Sequence, residues 1–146
     1  MSRVLVIPDV HLKPWIFDKA DKVDKSSYDD IVVLGDLVDD WGQGNNLELY
    51  RETLDRAAAF GTEHNESIWC YGNHDVSYPW GKLETGYSPY AERTVISKLE
   101  ELMNTLPDSL QIAIIQRIDN VLFCHGGLTE DFVNCLNEEL IYADID

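Results

Sequence analysis

Positive charge is what this sequence has least of. Lys and Arg together number 11 against 27 Asp and Glu, which leaves a formal net charge of −16 and a pI near 4.3. Such a balance argues against binding nucleic acid through a broad basic face, because phosphate affinity there comes from clustered Lys and Arg. Cysteine is also scarce. Cys70, Cys124 and Cys135 form an odd set without C-x-x-C spacing, so neither a disulfide framework nor a cysteine-built zinc site is indicated. Cys70 and Cys124 each end an apolar run, where a small buried thiol fits. No run approaches the ~20 apolar residues that span a bilayer. The first apolar stretch, Val4 to Ile7, is stopped by Pro8-Asp9 and is too short for a signal-peptide core. These absences lead to the expectation of a cytoplasmic protein with no membrane or nucleic-acid partner.

What is present is enough apolar material for a packed core: 45% of the 146 residues are hydrophobic and 10% aromatic. That length corresponds to one domain by the usual prior of roughly 100–200 residues per domain. Val4 to Ile7, Ile31 to Leu34 and Ser67 to Tyr71 read as short buried strands. A helix is expected from about Leu47 to Phe60, where Leu47, Tyr50, Leu54, Ala57 and Ala58 recur at helical spacing and Gly61 offers a stop. Val76 to Tyr90 reads as a long aromatic loop, and residues 91–104 as a second helix. Leu110 to Arg117 and Val121 to Cys124 read as a β-hairpin about Asp119-Asn120. Thr129 is placed to cap a last helix carrying Phe132, Val133, Leu136 and Leu140. His64 lies in a polar run and is expected to be a solvated surface histidine.

Each buried strand ends in polar residues: Asp9-Val10-His11, Gly35-Asp36-Leu37-Val38-Asp39 and Gly72-Asn73-His74-Asp75. The hairpin ends similarly in His125-Gly126-Gly127. Ligand-binding loops of α/β sheets converge at the carboxyl ends of strands. Asp9, His11, Asp36, Asn73, His74 and His125 are therefore expected in one crevice. Imidazole nitrogens with carboxylate and amide oxygens, and no thiolate, suit Mn, Fe, Zn or similar divalent ions. Asp36 is central enough to bridge two of them, and two metals ~3.5–4 Å apart can activate water and clamp a transferring phosphoryl group.

In this order and spacing, the four motifs resemble those of the calcineurin-like metallophosphoesterases. The stretch from Leu106-Pro107-Asp108 to His125-Gly126-Gly127-Leu128 is similar to the serine/threonine phosphoprotein phosphatase branch. The resemblance implies an α/β class chain forming the N-terminal part of a four-layer α/β/β/α sandwich. It implies two divalent metal ions, one held by Asp9, His11 and Asp36 and the other by Asp36, Asn73 and His125. It also implies a metal-bound hydroxide as nucleophile and His74 as general acid, oriented by Asp39. A phosphorylated substrate, a phosphoprotein by the nearest branch, is the implied partner.

Two positions depart from that pattern. Asp40 stands where the phosphatase branch has a phosphate-binding arginine. The family also supplies a later metal-binding histidine, whereas the histidines here are His11, His64, His74 and His125 only. The chain, a single domain over residues 1–146, is thus expected to be incomplete at its C-terminus or shortened, with a weakly held second metal. Such a sheet would leave an exposed edge for self-association, for which the alternating residues 111–115 are the candidate. Trp15, Trp41, Trp80 and Tyr78 follow the metal motifs closely. They either line the crevice mouth or pack the loops onto the scaffold, with Trp41 the candidate for substrate selection. A nucleotide or dinucleotide phosphohydrolase, and a catalytically weak metal-binding or regulatory fragment, are the alternative functions.

Overall fold

The computed structural model describes residues 2–131 and residue 134. Three short strands, β1 (Val4–Ile7), β2 (Asp30–Val33) and β3 (Ile68–Trp69), lie parallel in the order β1-β2-β3. The register pairs Val4 with Asp30 and Ile7 with Val33 on one side of β2, and Val33 with Trp69 on the other. Ile31, Val32 and Val33 of the central strand are all buried, as the apolar run of a strand covered on both faces demands.

Four helices accompany the sheet among the described residues: α1 (Trp15–Ala20), α2 (Leu47–Glu63), α3 (Asn73–Trp80) and α4 (Glu92–Thr105). Asn46 caps α2 by accepting the Leu49 amide at 3.3 Å, which satisfies one of the open donors of the first turn. Tyr50, Leu54, Ala57 and Phe60 of α2 are buried, as are Val95, Leu99 and Leu102 of α4, and the two helices pack together. The Phe17 ring of α1 lies 5.1 Å from Phe60 and 6.0 Å from Trp69. This aromatic cluster joins α1, α2 and β3, and fully burying such a side chain contributes about 1.5–3 kcal/mol.

Several elements differ from the sequence expectation. Gly61 does not stop α2, which continues to Glu63. It is buried at a close helix contact, where an added Cβ would lie 3.3 Å from Leu106 and Thr105 side-chain atoms. The third strand is shorter than Ser67 to Tyr71; it gives way at Cys70 to a single parallel bridge with Ala113. The start of the expected Val76 to Tyr90 loop is helical instead, since residues 73–80 form α3. The hairpin consists of β4 (Ile115–Ile118) and β5 (Val121–Cys124), while Asp108–Leu110 makes one 3₁₀ turn. Residues 111–114, the expected edge strand, therefore hold only the Ala113 bridge. The hairpin turn passes through Asp119 at φ 50°, a left-handed conformation that Asp tolerates better than most.

His64 is buried rather than solvated. Its Nε2 lies 2.9 Å from Asp21 Oδ1, and its ring is 4.3 Å from Phe60. Arg56 joins Asp18, Asp21 and Glu63 around it, so this ion-pair network fastens α1 to the C-terminal half of α2. Of the expected last helix, Glu130, Asp131 and Asn134 are helical, while Phe132, Val133, Leu136 and Leu140 lie outside the described residues. Among the described residues, no helix is long and apolar enough to cross a membrane.

Candidate metal centre

The loops after β1 and β2 are joined backbone to backbone. The Asp36 carbonyl accepts the amides of Val10 at 3.0 Å and His11 at 2.8 Å, and the Leu37 carbonyl accepts Leu12 at 3.1 Å. Four residues here are non-glycines with positive φ: His11 at 42°, Leu12 at 56°, Asp36 at 49° and Asp39 at 66°. Residues in such sparsely populated regions cost of order 1–3 kcal/mol each and persist only when their surroundings over-determine them.

Gly35 and Gly72 allow the β2 and β3 ends to touch. Gly35 takes φ 92°, and a Cβ there would strike the Gly72 amide nitrogen. A Cβ at Gly72 would fall on the Asp36 amide and carboxylate, with Cγ only 2.6 Å away. Gly72 then leads directly into α3, whose first turn is held from within the crevice. The His74 amide donates to Asp36 Oδ1 at 3.0 Å, and the Gly72 amide donates to Asp75 Oδ2 at 3.0 Å. Asp75 also accepts the Leu37 amide at 2.8 Å. It thereby ties α3 to the β2 loop, while burial pushes its carboxyl up to about 6 against the opposing pull of those amides.

Three imidazoles are each oriented through Nδ1. His11 Nδ1 donates to the Asp39 carbonyl at 2.8 Å, with the Val38 carbonyl at 3.1 Å. His125 Nδ1 donates to the Leu34 carbonyl at 3.1 Å, so the hairpin delivers this residue to the end of β2. His74 Nδ1 lies 3.0 Å from Asp39 Oδ2. Carbonyls can only accept, so the Nδ1 proton of His11 and His125 is fixed and Nε2 carries the lone pair in the neutral ring.

Those two Nε2 atoms point at one oxygen. Asp36 Oδ2 is 3.1 Å from His125 Nε2 and 3.5 Å from His11 Nε2. Lone pairs aimed at a carboxylate oxygen at such distances repel one another unless positive charge lies among them. A histidine ligand whose other nitrogen donates to a carbonyl or carboxylate is the usual orientation at metal sites. His11, Asp36 and His74 each offer a donor atom within 4.8 Å of the others, as do Asp9, Asp36 and His125. Asp9 is exposed, with Oδ1 3.7 Å from His125 Nδ1. Asn73 opens α3 and lines, with His125, a largely apolar cavity of about 250 Å³. The donor set fits divalent cations that accept mixed nitrogen and oxygen ligation.

Asp39 is fully buried and serves more partners than the sequence suggested. Its Oδ1 accepts the Tyr50 hydroxyl at 2.8 Å and the Tyr78 hydroxyl at 2.5 Å. Burial and the bond to Asp39 push both phenols well above their ordinary range, which keeps them as donors. Tyr78 follows the packing alternative and lies in the core; no local signal announces its partner beyond the need of a buried tyrosine for one. Trp15, Trp41 and Trp80 are exposed by 48%, 64% and 60%, so none simply packs a loop down. Trp41 stands against the site histidines, 5.5 Å from the His11 ring and 5.6 Å from that of His74. Asp40, in place of arginine, has Lys13 3.6 Å from Oδ2.

The model of the calcineurin-like phosphoesterase family matches residues 2–144. The chain belongs to that family. No curated protein and no solved structure matches it. Membership in the calcineurin-like phosphoesterases implies metal-dependent phosphoester hydrolysis, and the histidine–aspartate groups around Asp36 are the candidate ligands in this member.

Proposed function

We propose that this calcineurin-like phosphoesterase hydrolyses phosphomonoesters at the Asp36 crevice with two divalent cations. Asp9, His11 and Asp36 hold one, and Asp36, Asn73 and His125 the other. The convergence of His11 Nε2 and His125 Nε2 on a single oxygen of Asp36 carries this reading. When bound, the cations supply Lewis acidity, which acidifies water and offsets phosphoryl charge.

The chain's own side chains do the rest. Water attacks phosphorus and loses a proton to solvent, while the ester P–O bond breaks. The departing alkoxide takes a proton from His74 Nε2, the nitrogen left free because Nδ1 faces Asp39. Asp39 is a positioning residue: it touches no reacting atom, and the two tyrosine hydroxyls hold it in place. The hairpin running into His125-Gly126-Gly127-Leu128 supports the site arrangement of the serine/threonine phosphoprotein phosphatases, while Asp40, in place of their phosphate-binding arginine, sets this chain apart from them in substrate.

Phosphate release from p-nitrophenyl phosphate and from a phosphoseryl peptide, with added Mn²⁺, tests the proposal. Turnover that falls at least a hundredfold on both esters in Asp36→Asn, and on the phosphoseryl peptide in His74→Ala, supports it. A folded protein that binds Mn²⁺ and releases no phosphate overturns it.

A further inference from the structure

We infer that Trp41 and the segment following it form a subsite for the base of a nucleoside phosphate. This rests on the phosphoesterase reading and names the substrate class within it. The rings of His11, His74 and Trp41 stand in mutual contact, with centroids 5.1, 5.5 and 5.6 Å apart. The indole meets His74 edge to face at 75°. It also passes Gly86, where an added Cβ would be 3.6 Å from Trp41 Nε1. The ring is thus supported by two imidazoles and a chain crossing, yet remains 64% exposed. An indole held in this way is a preorganised stacking surface with little left to order on binding.

Its position gives it a role. His74 delivers a proton to the leaving oxygen, so the body of the leaving group emerges beside His74, where Trp41 stands. Beyond the indole, residues 41–46 line an open concavity of about 590 Å³. That lining carries no charged side chain, only Trp41, glycines and the amides of Gln43, Asn45 and Asn46. Amides offer both donors and acceptors, which suits the edge of a neutral heterocycle. Asp40, just before this segment, has its charge offset by Lys13 at 3.6 Å, which leaves no cation free there, among the described residues, to meet a second anion. A flat, uncharged, hydrogen-bonding group on a phosphorylated alcohol describes a nucleoside monophosphate better than an acidic phosphopeptide.

The experiment compares adenosine 5′-monophosphate with glycerol phosphate, whose leaving oxygens are both alkoxides, in the Mn²⁺-loaded protein and its Trp41→Ala and Trp41→Phe variants. Trp41→Ala is expected to lower kcat/KM for the nucleotide about tenfold more than for glycerol phosphate, the size of one lost base–aromatic stack. Trp41→Phe should restore most of that difference. Titration with adenosine 5′-monophosphate, followed by intrinsic fluorescence, should quench the wild-type signal more than that of Trp41→Phe; Trp80→Ala should quench as wild type does. Equal losses on both substrates, or quenching independent of residue 41, would overturn the subsite while leaving the phosphoesterase reading intact. A phosphotyrosyl peptide that depends on Trp41 while the nucleotide does not would also overturn it. If no ester is hydrolysed, the phosphoesterase reading fails, and the fluorescence titration still decides the subsite.

Discussion

Asp39 offers the most direct test of how the fold supports the chemistry. Removing its carboxylate in Asp39→Ala strands the hydroxyls of Tyr50 and Tyr78, both buried, and releases His74 Nδ1. A hydrogen bond to a charged group contributes about 1.5–3 kcal/mol, so losing two amounts to roughly 3–6 kcal/mol. Removing a buried charge returns part of its desolvation cost, which favours the lower end, about 3 kcal/mol. Alanine is also poorly suited to the φ of 66°, whereas asparagine tolerates it. Asp39→Asn should therefore fold nearly as well as wild type. Its oxygen can stay with the two tyrosines, leaving its NH₂ to face His74 Nδ1. That arrangement opposes an N–H on Nδ1, so an imidazolium can no longer form without a clash of donors.

General acid catalysis typically contributes ~10²–10⁴ in rate, and a loss of that size is expected in Asp39→Asn on glycerol phosphate. The loss on p-nitrophenyl phosphate should be much smaller, because p-nitrophenolate departs without a proton. Urea denaturation measures the first effect, and the ratio of kcat values for the two esters measures the second. Asp39→Ala within about 1 kcal/mol of wild type, or equal losses on both esters in Asp39→Asn, would refute the reasoning.

Two further outcomes are expected, one in the crevice and one at the start of the sheet. Gly72→Ala places a methyl on the Asp36 carboxylate; it should destabilise the fold by about 1–3 kcal/mol in urea and weaken Mn²⁺ binding measured calorimetrically. Asp29 accepts the side chain and amide of Arg3, which hold its carboxyl down to about 2. A depressed folded value means the pair stabilises above the ordinary value of 3.8 and that this contribution is lost as pH falls toward 2. Carboxyl NMR titration should show the low midpoint, and Arg3→Gln should move it upward.

The sequence revealed most where chemistry and periodicity coincide. The strand at Ile31–Val33 was legible because a central parallel strand needs continuous apolar residues, that at Val4–Ile7 because its apolar run is bounded by polar residues although Val6 is exposed at the sheet edge, and α2 and α4 because their buried faces recur at helical spacing. The polar ends of those strands marked the crevice for the same reason. Helix α3 was not legible: Gly72-Asn73-His74-Asp75 has the composition of a turn, and Pro79 and Gly81 bracket its end. Its first turn forms through partners far along the chain, Asp36 accepting the His74 amide and Asp75 reaching the Leu37 amide. His64 was misread for a similar reason, since Asp21 and Phe60 bury it while its sequence neighbours are polar. Tyr50 read as one more apolar position of a helix, although its hydroxyl end serves Asp39.

The paired carbonyls of Asp36 and Leu37 have a consequence for how the molecule opens. Surface loops ordinarily fluctuate independently of the scaffold beneath them. Here the loop after β1 is bonded through three amides to the loop after β2, and β2 is the innermost strand. The loop bearing His11 and the loop bearing Asp36 therefore belong to the same cooperative unit as the core. A partial opening that parts His11 from Asp36 must break all three of these bonds, so this half of the crevice stays assembled for as long as the sheet does.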